Sequence, residues 1–189
     1  LVMPCHSTNK DIKDALELVK KFNISYKVID LSEIYDSFIS LLETKEKKAD
    51  FKLAEINVKP RLRMVTLYYF ANKLNYLVIG TGNKSELTVG YFTKYGDGGV
   101  DILPLGNLLK SQVKELAEFL GIPQKIIQKP PSGGLWEGQT DEGEMGISYN
   151  QLDEYLKTGK LDNLEVEEKV KNKIILNKHK RNTPAIPDF

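Results

Sequence analysis

Short apolar runs alternate with amphipathic stretches along the chain, and this alternation predicts an α/β fold. Apolar runs over residues 1–3, 26–29 and 76–79 predict strands. Apolar positions that recur with the helical period of about 3.6 residues predict helices. These helices span 10–22, a stretch from residue 32 onward, 57–73, 107–120, a stretch from Ser148 through 156, and 164–178. The lysine-rich residues 45–48 indicate a solvated linker.

The helix over 57–73 differs from the others because residues 64–71 are apolar on nearly every side. A helix of that composition is covered on more than one side in the folded protein. We therefore expect this helix to lie in a core or in a contact between two subunits. The second possibility predicts a homodimer.

Composition and charge narrow the class of protein. Hydrophobic residues make up 41% and charged residues 28% of the 189 positions, which is typical of a globular protein. The net charge is only +1, which argues against a binder of nucleic acid or of membrane surfaces. The single cysteine, Cys5, excludes an internal disulfide and a metal–thiolate cluster and favours a cytoplasmic location. No apolar run approaches the ~20 residues that a membrane helix needs.

The turn after the third predicted strand, residues 80–86, is the first candidate site. In open parallel sheets, ligands bind beyond the carboxyl ends of the strands, and glycine lets the backbone approach a phosphate closely. Thr81 offers a hydroxyl, Lys84 a cation, and Glu86 a carboxylate that suits Mg²⁺. The alternative is an ordinary strand-to-helix turn capped by Ser85.

Residues 91–101 form the second candidate site. Gly96, Gly98 and Gly99 lie within four positions, and we attribute them to a loop that bends around a ligand rather than to packing. Lys94 and Asp101 flank this loop with opposite charges. A simple hairpin turn at residues 97–98 is the alternative.

The third candidate is the loop over 129–142, which has few helix or strand signals. Its Ser132 precedes two glycines but follows Pro131 rather than a strand, so we do not regard it as the primary phosphate cradle. Several cations could converge on phosphate groups, although each alone is as consistent with a solvated surface charge. They are Arg61, Arg63, Lys94, Lys110, His179, Lys180 and Arg181.

Seven stretches carry a resemblance that covers nearly the whole chain. In order they are 57–64 (NVKPRLRM), 80–86 (GTGNKSE), 90–98 (GYFTKYGDG), 129–132 (KPPS), 135–142 (LWEGQTDE), 146–149 (GISY) and 179–182 (HKRN). Together they resemble the ammonia-dependent NAD synthetases. The resemblance implies an adenine nucleotide alpha-hydrolase-like, Rossmann-like fold, which is an open parallel sheet with helices on both faces.

The resemblance further implies one NAD synthetase domain over residues 1–189, a homodimer, and Mg²⁺-dependent use of ATP. In the implied reaction, the nicotinate carboxylate of deamido-NAD attacks the α-phosphate of ATP and releases pyrophosphate. Ammonia then attacks the acyl-adenylate, which gives NAD and AMP. Activation is needed because a carboxylate oxygen is a poor leaving group and AMP is a good one.

Matching motif by motif also implies site residues. The implied ATP contacts are Thr81, Lys110 and Ser132, and the implied Mg²⁺ ligand is Glu86. The implied deamido-NAD contacts are Arg61, Lys94, Asp101, His179 and Lys180. The resemblance assigns no catalytic residue.

The chain departs from the family at its start. It begins with the apolar run Leu1-Val2-Met3 and lacks the family's Ser-Gly-Gly-x-Asp-Ser pyrophosphate loop, so we expect an N-terminally incomplete domain with that loop upstream. We do not expect the chain alone to adenylate a substrate. No glutaminase domain is present in the sequence, which makes ammonia the expected nitrogen source. Two alternatives stay open: a non-catalytic nucleotide-binding or dimerisation remnant, and a sister ATP pyrophosphatase with another acceptor.

Overall fold

Helices dominate the structure, a computed structural model that describes residues 1–42, 52–136 and 138–188. In chain order they are α1 (Asn9–Lys21), α2 (Ser32–Leu42), α3 (Lys52–Ile56), α4 (Val58–Leu74), α5 (Lys84–Val89), α6 (Lys110–Phe119), α7 (Gln124–Ile127), α8 (Asp141–Met145), α9 (Tyr149–Thr158), α10 (Leu164–Leu176) and α11 (Lys178–Arg181). The predicted linker 45–48 lies outside the described residues. No helix in the described ranges is both long and apolar enough to span a membrane.

The predicted helices correspond to α1, α2, α4, α6, α9 and α10, with ends that shift by a few residues. The largest shift is at α6, which begins at Lys110 because tight turns occupy the residues before it, including the bond from the Leu108 N–H to the Leu105 carbonyl. The sequence did not predict α3, α7 and α8, and it offered α5 only as the alternative of a strand-to-helix turn. Each has only four to six residues, which is too short to show a helical period.

Two isolated parallel bridges are the β-structure of the described residues: Val2 pairs with Val28, and Ile79 pairs with Ile102. Each of the three predicted strands contributes one bridging residue, and the described part of the chain holds no longer ladder. The parallel pairing of these bridges agrees with an α/β fold. Ile79 leads directly into the glycine-rich turn.

The main apolar core lies where α5, α9 and α10 meet. Its buried members are Val89, Met145, Ile147, Tyr149, Leu152 and Val170. This core fixes the short helix α5 against α9. Glu86 and Tyr149, which belong to the site described below, are carried on these two helices.

Helix α4 is not covered on all sides within one chain. Ala71 is buried, but the side chains of Val65 and Tyr69 are 60% and 59% exposed. The expectation of a fully internal helix therefore fails for the single chain. The open face is what the subunit-contact alternative requires.

Packing does account for the glycines at 96, 98 and 99, so the contrary expectation is wrong. A Cβ atom on Gly98 would lie 2.4 Å from the ring of Phe92, and one on Gly99 would lie 3.1 Å from Met64. Gly96 would similarly meet Pro60. At Gly98 a larger residue would require Phe92 to move, and at Gly96 and Gly99 the neighbouring side chains would have to shift slightly, whether or not a ligand is bound.

Candidate functional site

A cleft of about 1260 Å³ brings together residues from the glycine-rich turns and from the 129–140 loop. The predicted residues that line it are Thr81, Glu86, Lys110, Ser132 and Lys180. An adjoining cavity of about 360 Å³ shares Thr81, Glu86, Asp97 and Lys180 with this cleft. The structure therefore places all the predicted ATP contacts and the predicted metal ligand around one space.

Asn83 shapes the turn that carries Glu86. Its side-chain oxygen accepts the Glu86 N–H at 3.1 Å, and Glu86 Oε2 accepts the Asn83 N–H at 3.1 Å, which makes a capping box at the start of α5. The alternative in which Ser85 caps this helix is therefore wrong. The box occupies one carboxylate oxygen of Glu86 and holds the other, Oε1, towards the cleft residues.

Ser85 and Asp153 position the start of α6. The Ser85 hydroxyl donates to Asp153 Oδ1 at 2.5 Å and accepts the backbone N–H of Lys110 at 3.0 Å. Asp153 Oδ2 accepts the N–H of Ser111 at 2.8 Å. Ser85 and Asp153 are both buried, so this network is shielded from water. It joins α5, α6 and α9 and places Lys110 beside Glu86.

Lys110 and Glu86 form the charged centre of the site. Lys110 Nζ lies 2.8 Å from Glu86 Oε1 and 4.7 Å from the centre of the Tyr149 ring. The Tyr149 hydroxyl donates to Asp141 Oδ2 at 2.7 Å and lies 3.3 Å from Glu86 Oε1. Burial raises the pKa of the Tyr149 hydroxyl far above its usual value, so it remains a donor. Burial likewise raises the pKa of the Asp141 carboxyl.

The oxygen atoms at this centre fit a Mg²⁺ ion that is shared with phosphate. Mg²⁺ takes one or two carboxylates and completes its shell with phosphate oxygens and water. Glu86 Oε1 supplies one candidate oxygen, and the buried Oδ1 of Asp141 has no hydrogen-bond partner in the described ranges. No group of three or more His, Cys, Asp and Glu side chains forms a metal cage within those ranges.

Asp97 is a site residue that the sequence reasoning missed. One of its carboxylate oxygens accepts the Thr93 N–H at 2.9 Å, and the side chain opens into the smaller cavity. The surrounding protein raises the pKa of the Asp97 carboxyl, chiefly by desolvation. Its position between glycines made it resemble an ordinary turn residue. The signal available in the sequence was a carboxylate within the glycine-rich turn that follows Lys94.

The loop that carries Ser132 is held at several points. The carbonyl of Pro131 accepts the Asp141 N–H at 2.9 Å, and Lys59 Nζ donates to the carbonyl of Leu135 at 2.8 Å. The Ser132 hydroxyl oxygen accepts the Gly134 N–H at 3.1 Å. Ser132 is exposed at the rim of the cleft, where its hydroxyl can reach a ligand.

Arg61, Lys94 and His179 form a second group, beside the cleft rather than in its wall. Lys94 Nζ donates to the carbonyl of His179 at 2.8 Å, and Arg61 lies 3.4 Å from the carbonyl of Lys94. Lys180 follows His179 in the chain, and its Nζ donates to the carbonyls of Gly90 and Phe92, which line the cleft. Lys180 therefore connects this group with the cleft. Burial lowers the pKa of Lys180.

Asp101 stands apart from both cavities. Its carboxylate accepts the Tyr68 hydroxyl at 3.0 Å and the Val78 N–H at 2.7 Å. These bonds tie α4 to the segment that enters the bridge at Ile79. The structure thus gives Asp101 a structural contact, and its predicted role as a deamido-NAD contact stays a prediction.

A large cleft with a few convergent polar groups, here a paired lysine and carboxylate and several hydroxyl groups, has the usual form of a small-molecule binding site. A sequence model of the family described as NAD synthase matches residues 1–184. The chain belongs to this family, which confirms the family and the ligase class expected from its motifs.

Individual relatives agree with this assignment. The NH(3)-dependent NAD(+) synthetase of Carboxydothermus hydrogenoformans is 51% identical over 187 residues, which cover 99% of this chain and 76% of that protein. The structure of NMN synthetase from Francisella tularensis matches with a TM-score of 0.92 and 40% identity, over 99% of this chain and 77% of that one. The NH3-dependent NAD synthetase of Campylobacter jejuni, solved with nitrate ion, matches with a TM-score of 0.77 and 31% identity, over 98% and 76%.

Proposed function

We propose that this chain carries the ATP-dependent amidation of deamido-NAD by ammonia, which yields NAD, AMP and pyrophosphate. The observation that carries the proposal is the convergence of Thr81, Glu86, Lys110 and Ser132 on one cleft in a member of the NAD synthase family. The relatives are named as synthetases, so a non-catalytic remnant gains no support from them, and the other acceptor that they suggest is the mononucleotide considered at the end of this subsection.

In the first step, a carboxylate oxygen of the nicotinate bonds to the α-phosphorus of ATP, and the bond to the pyrophosphate oxygen breaks. Thr81 and Ser132 offer hydroxyl groups to the nucleotide, and Lys110 offers a cation to its phosphates. Catalysis of this kind consists mainly of positioning and of stabilising charge on the leaving oxygen. The buried network through Ser85 and Asp153 keeps Lys110 in place while charge builds up.

Glu86, assisted by the nearby Asp141, would hold Mg²⁺ against the phosphate oxygens. The ion, when bound, supplies Lewis-acid stabilisation of the charge on the departing pyrophosphate. Lys110, which pairs with Glu86 Oε1, adds a positive charge beside this carboxylate. The capping box keeps the Glu86 backbone and its second oxygen fixed.

In the second step, ammonia bonds to the acyl carbon and AMP leaves with the electrons of the broken C–O bond. The nitrogen must lose one proton to become the amide, and ammonium must lose one more beforehand. We assign Asp97 as the proton acceptor, because it lines the smaller cavity together with Glu86 and Lys180. A carboxyl whose pKa is raised is a better base than an ordinary one.

The remaining predicted residues suit the nicotinate dinucleotide. Arg61, Lys94, His179 and Lys180 lie along one continuous set of contacts that leads out of the cleft. Such a row of cations fits the pyrophosphate and second nucleoside of deamido-NAD better than it fits a mononucleotide.

Three further features belong to this proposal. In this proposal the two parallel bridges are parts of one open parallel sheet. Because parallel sheets are buried on both faces, the 65% and 62% exposure of Leu77 and Ile79 favours further protein packed over that segment. The open face around Val65 and Tyr69 packs against a second copy in a homodimer. The single, buried cysteine and the substrates favour the cytoplasm as the place of the reaction.

The decisive experiment uses deamido-NAD labelled with ¹⁸O in the nicotinate carboxylate, together with ATP, Mg²⁺ and ¹⁵N-ammonium. The intact protein should form NAD and AMP in equal amounts, with ¹⁵N in the amide and one ¹⁸O in the phosphate of AMP. Absence of AMP, or AMP without ¹⁸O, contradicts the acyl-adenylate mechanism. The Asp97→Asn variant should release pyrophosphate in the first step more readily than it forms NAD and AMP in the second.

A second candidate substrate is nicotinate mononucleotide, favoured by the similarity to the NMN synthetase of Francisella tularensis. The two acids can be compared by their kcat/KM in the same assay. Replacement of Arg61 by Ala should weaken the reaction of the dinucleotide more than that of the mononucleotide. A greater kcat/KM for the mononucleotide would make it the substrate and would reassign the outer cations.

A further inference from the structure

Lys129 joins the Ser132 loop to helix α1 across a long sequence separation. Its ammonium pairs with Asp11 and lies 3.2 Å from Asp14 Oδ2. Asp14 is 8% exposed and Lys129 is partly buried, so these charges are screened less than surface pairs. No residue of this cluster was assigned to the site by the motifs.

Asp11 is itself held in place. The Thr8 hydroxyl donates to Asp11 Oδ2 at 2.7 Å and accepts the Asp11 N–H at 3.1 Å, which caps the start of α1. Thr8, Asp11 and Lys129 all line the large cleft. The first turn of α1 is therefore a rigid wall of the cleft, to which the loop is attached by Lys129.

Two prolines separate Lys129 from Ser132. Because each proline ring fixes φ near −65°, this connection has little freedom to absorb a displacement of Lys129. The carbonyl of Pro131 is also bonded to the N–H of Asp141. A shift of the lysine would thus move the Ser132 hydroxyl at the rim of the cleft.

We propose that Lys129 is a positioning residue that holds the Ser132 loop against α1 through Asp11 and Asp14. The loop then presents its hydroxyl to the nucleotide. This inference rests on the proposed function for the identity of the nucleotide, ATP, but the anchoring itself does not depend on turnover.

Lys125 provides a matched control. It pairs with the same Asp14, at 3.3 Å, and with Glu17 at 2.5 Å, but it lies on α7 and is not part of the cleft wall. Trp136, the only tryptophan of the chain, lies in the loop and provides a local probe. The variants Lys129→Met and Lys125→Met each remove one positive charge from the same ion network. Only the first of them removes the lysine that holds the loop.

The test measures acrylamide quenching of Trp136 and the Kd of ATP in the intact protein and its variants. Lys129→Met should increase the quenching constant by about twofold and the Kd by about fivefold, the scale expected for a partly buried ion pair. Lys125→Met should leave both near the starting values, and Lys129→Arg should restore them. Equal effects of the two Met variants, or no change of quenching in Lys129→Met, would overturn the proposal.

Failure of the proposed function has a different signature. If the unmutated protein binds no ATP and forms no NAD, the function is wrong. The quenching comparison between Lys129→Met and Lys125→Met still decides whether the loop is anchored by Lys129.

Discussion

Lys110 and Glu86 come from different helices, yet Nζ of the first lies 2.8 Å from Oε1 of the second, and their side chains are 17% and 16% exposed. The two residues are distant in the sequence, so the fold brings them together. The contact exists because Ser85, next to Glu86, accepts the backbone N–H of Lys110. The position of the cation is therefore set by the helix that carries the carboxylate.

Replacement of Lys110 by Met should lower kcat/KM for ATP by about 10²-fold, the usual cost of removing one preorganised group that stabilises developing charge. Steady-state kinetics at saturating deamido-NAD measure this. Lys84→Met is the control, because Lys84 is an exposed cation on the same helix as Glu86 and lies outside the cleft wall. Similar losses in both variants would show that Lys110 has no specific role.

Glu86→Gln should weaken the response to Mg²⁺ by at least the roughly tenfold loss seen when metal sites lose a supporting group. The amide oxygen can still accept the Asn83 N–H, so the capping box and the melting temperature should change little. A titration of activity with Mg²⁺, together with thermal unfolding, separates the two effects. An unchanged Mg²⁺ dependence would refute Glu86 as the metal ligand.

Acid should release the loop anchored by Lys129. The hydrogen bond from Lys129 holds the pKa of the Asp11 carboxyl below its ordinary 3.8, so the pairing is present above about pH 4 and is lost as the pH falls below that value. Trp136 quenching should stay constant from about pH 8 to 5 and rise at lower pH. Asp11→Asn should raise the quenching already at neutral pH.

Glu165→Gln is the control for this pH profile. Glu165 also has a pKa lowered by a lysine, Lys169, but this pair lies on α10 and does not contact the loop. Its removal should leave the quenching profile unchanged. A profile that rises at the same pH in Asp11→Asn as in the unmutated protein would exclude Asp11 as the titrating group.

Tyr69→Asp should separate the proposed homodimer, because it places a charge on the exposed face of α4. Light scattering should give one chain mass, 21.4 kDa, for the variant and twice that mass for the unmutated protein. Leu164→Asp is the control, since Leu164 is a 76% exposed apolar residue at the start of α10. A monomeric unmutated protein would contradict the dimer.

The sequence motifs named candidate site residues but not the contacts between them. Thr81, Glu86 and Lys110 were named from motifs, and the long amphipathic helices were predicted because their period is visible in the chain. The pairing of Glu86 with Lys110 could not be predicted. It depends on Asp153, which accepts bonds from both neighbouring helices and carries no motif of its own.

Two other features were hidden for different physical reasons. Asp97 has an ordinary sequence context, and the cavity that it lines is built from residues distant in the chain. The glycine at 98 was interpreted as ligand-related, whereas the nearby ring of Phe92 explains it by close packing. Contacts between side chains distant in sequence leave no periodic signal, so these features require the structure.

Arg181 bonds to the carbonyls of Leu87 and Thr88, within one helical turn of Glu86. The segment after α10 is thereby attached to α5, the short helix that carries the proposed magnesium ligand. Loss of the Arg181 side chain would remove these bonds and loosen α5 without altering the proposed ligand atoms. Preparations that differ only at this contact would then differ in the magnesium that the proposed reaction needs.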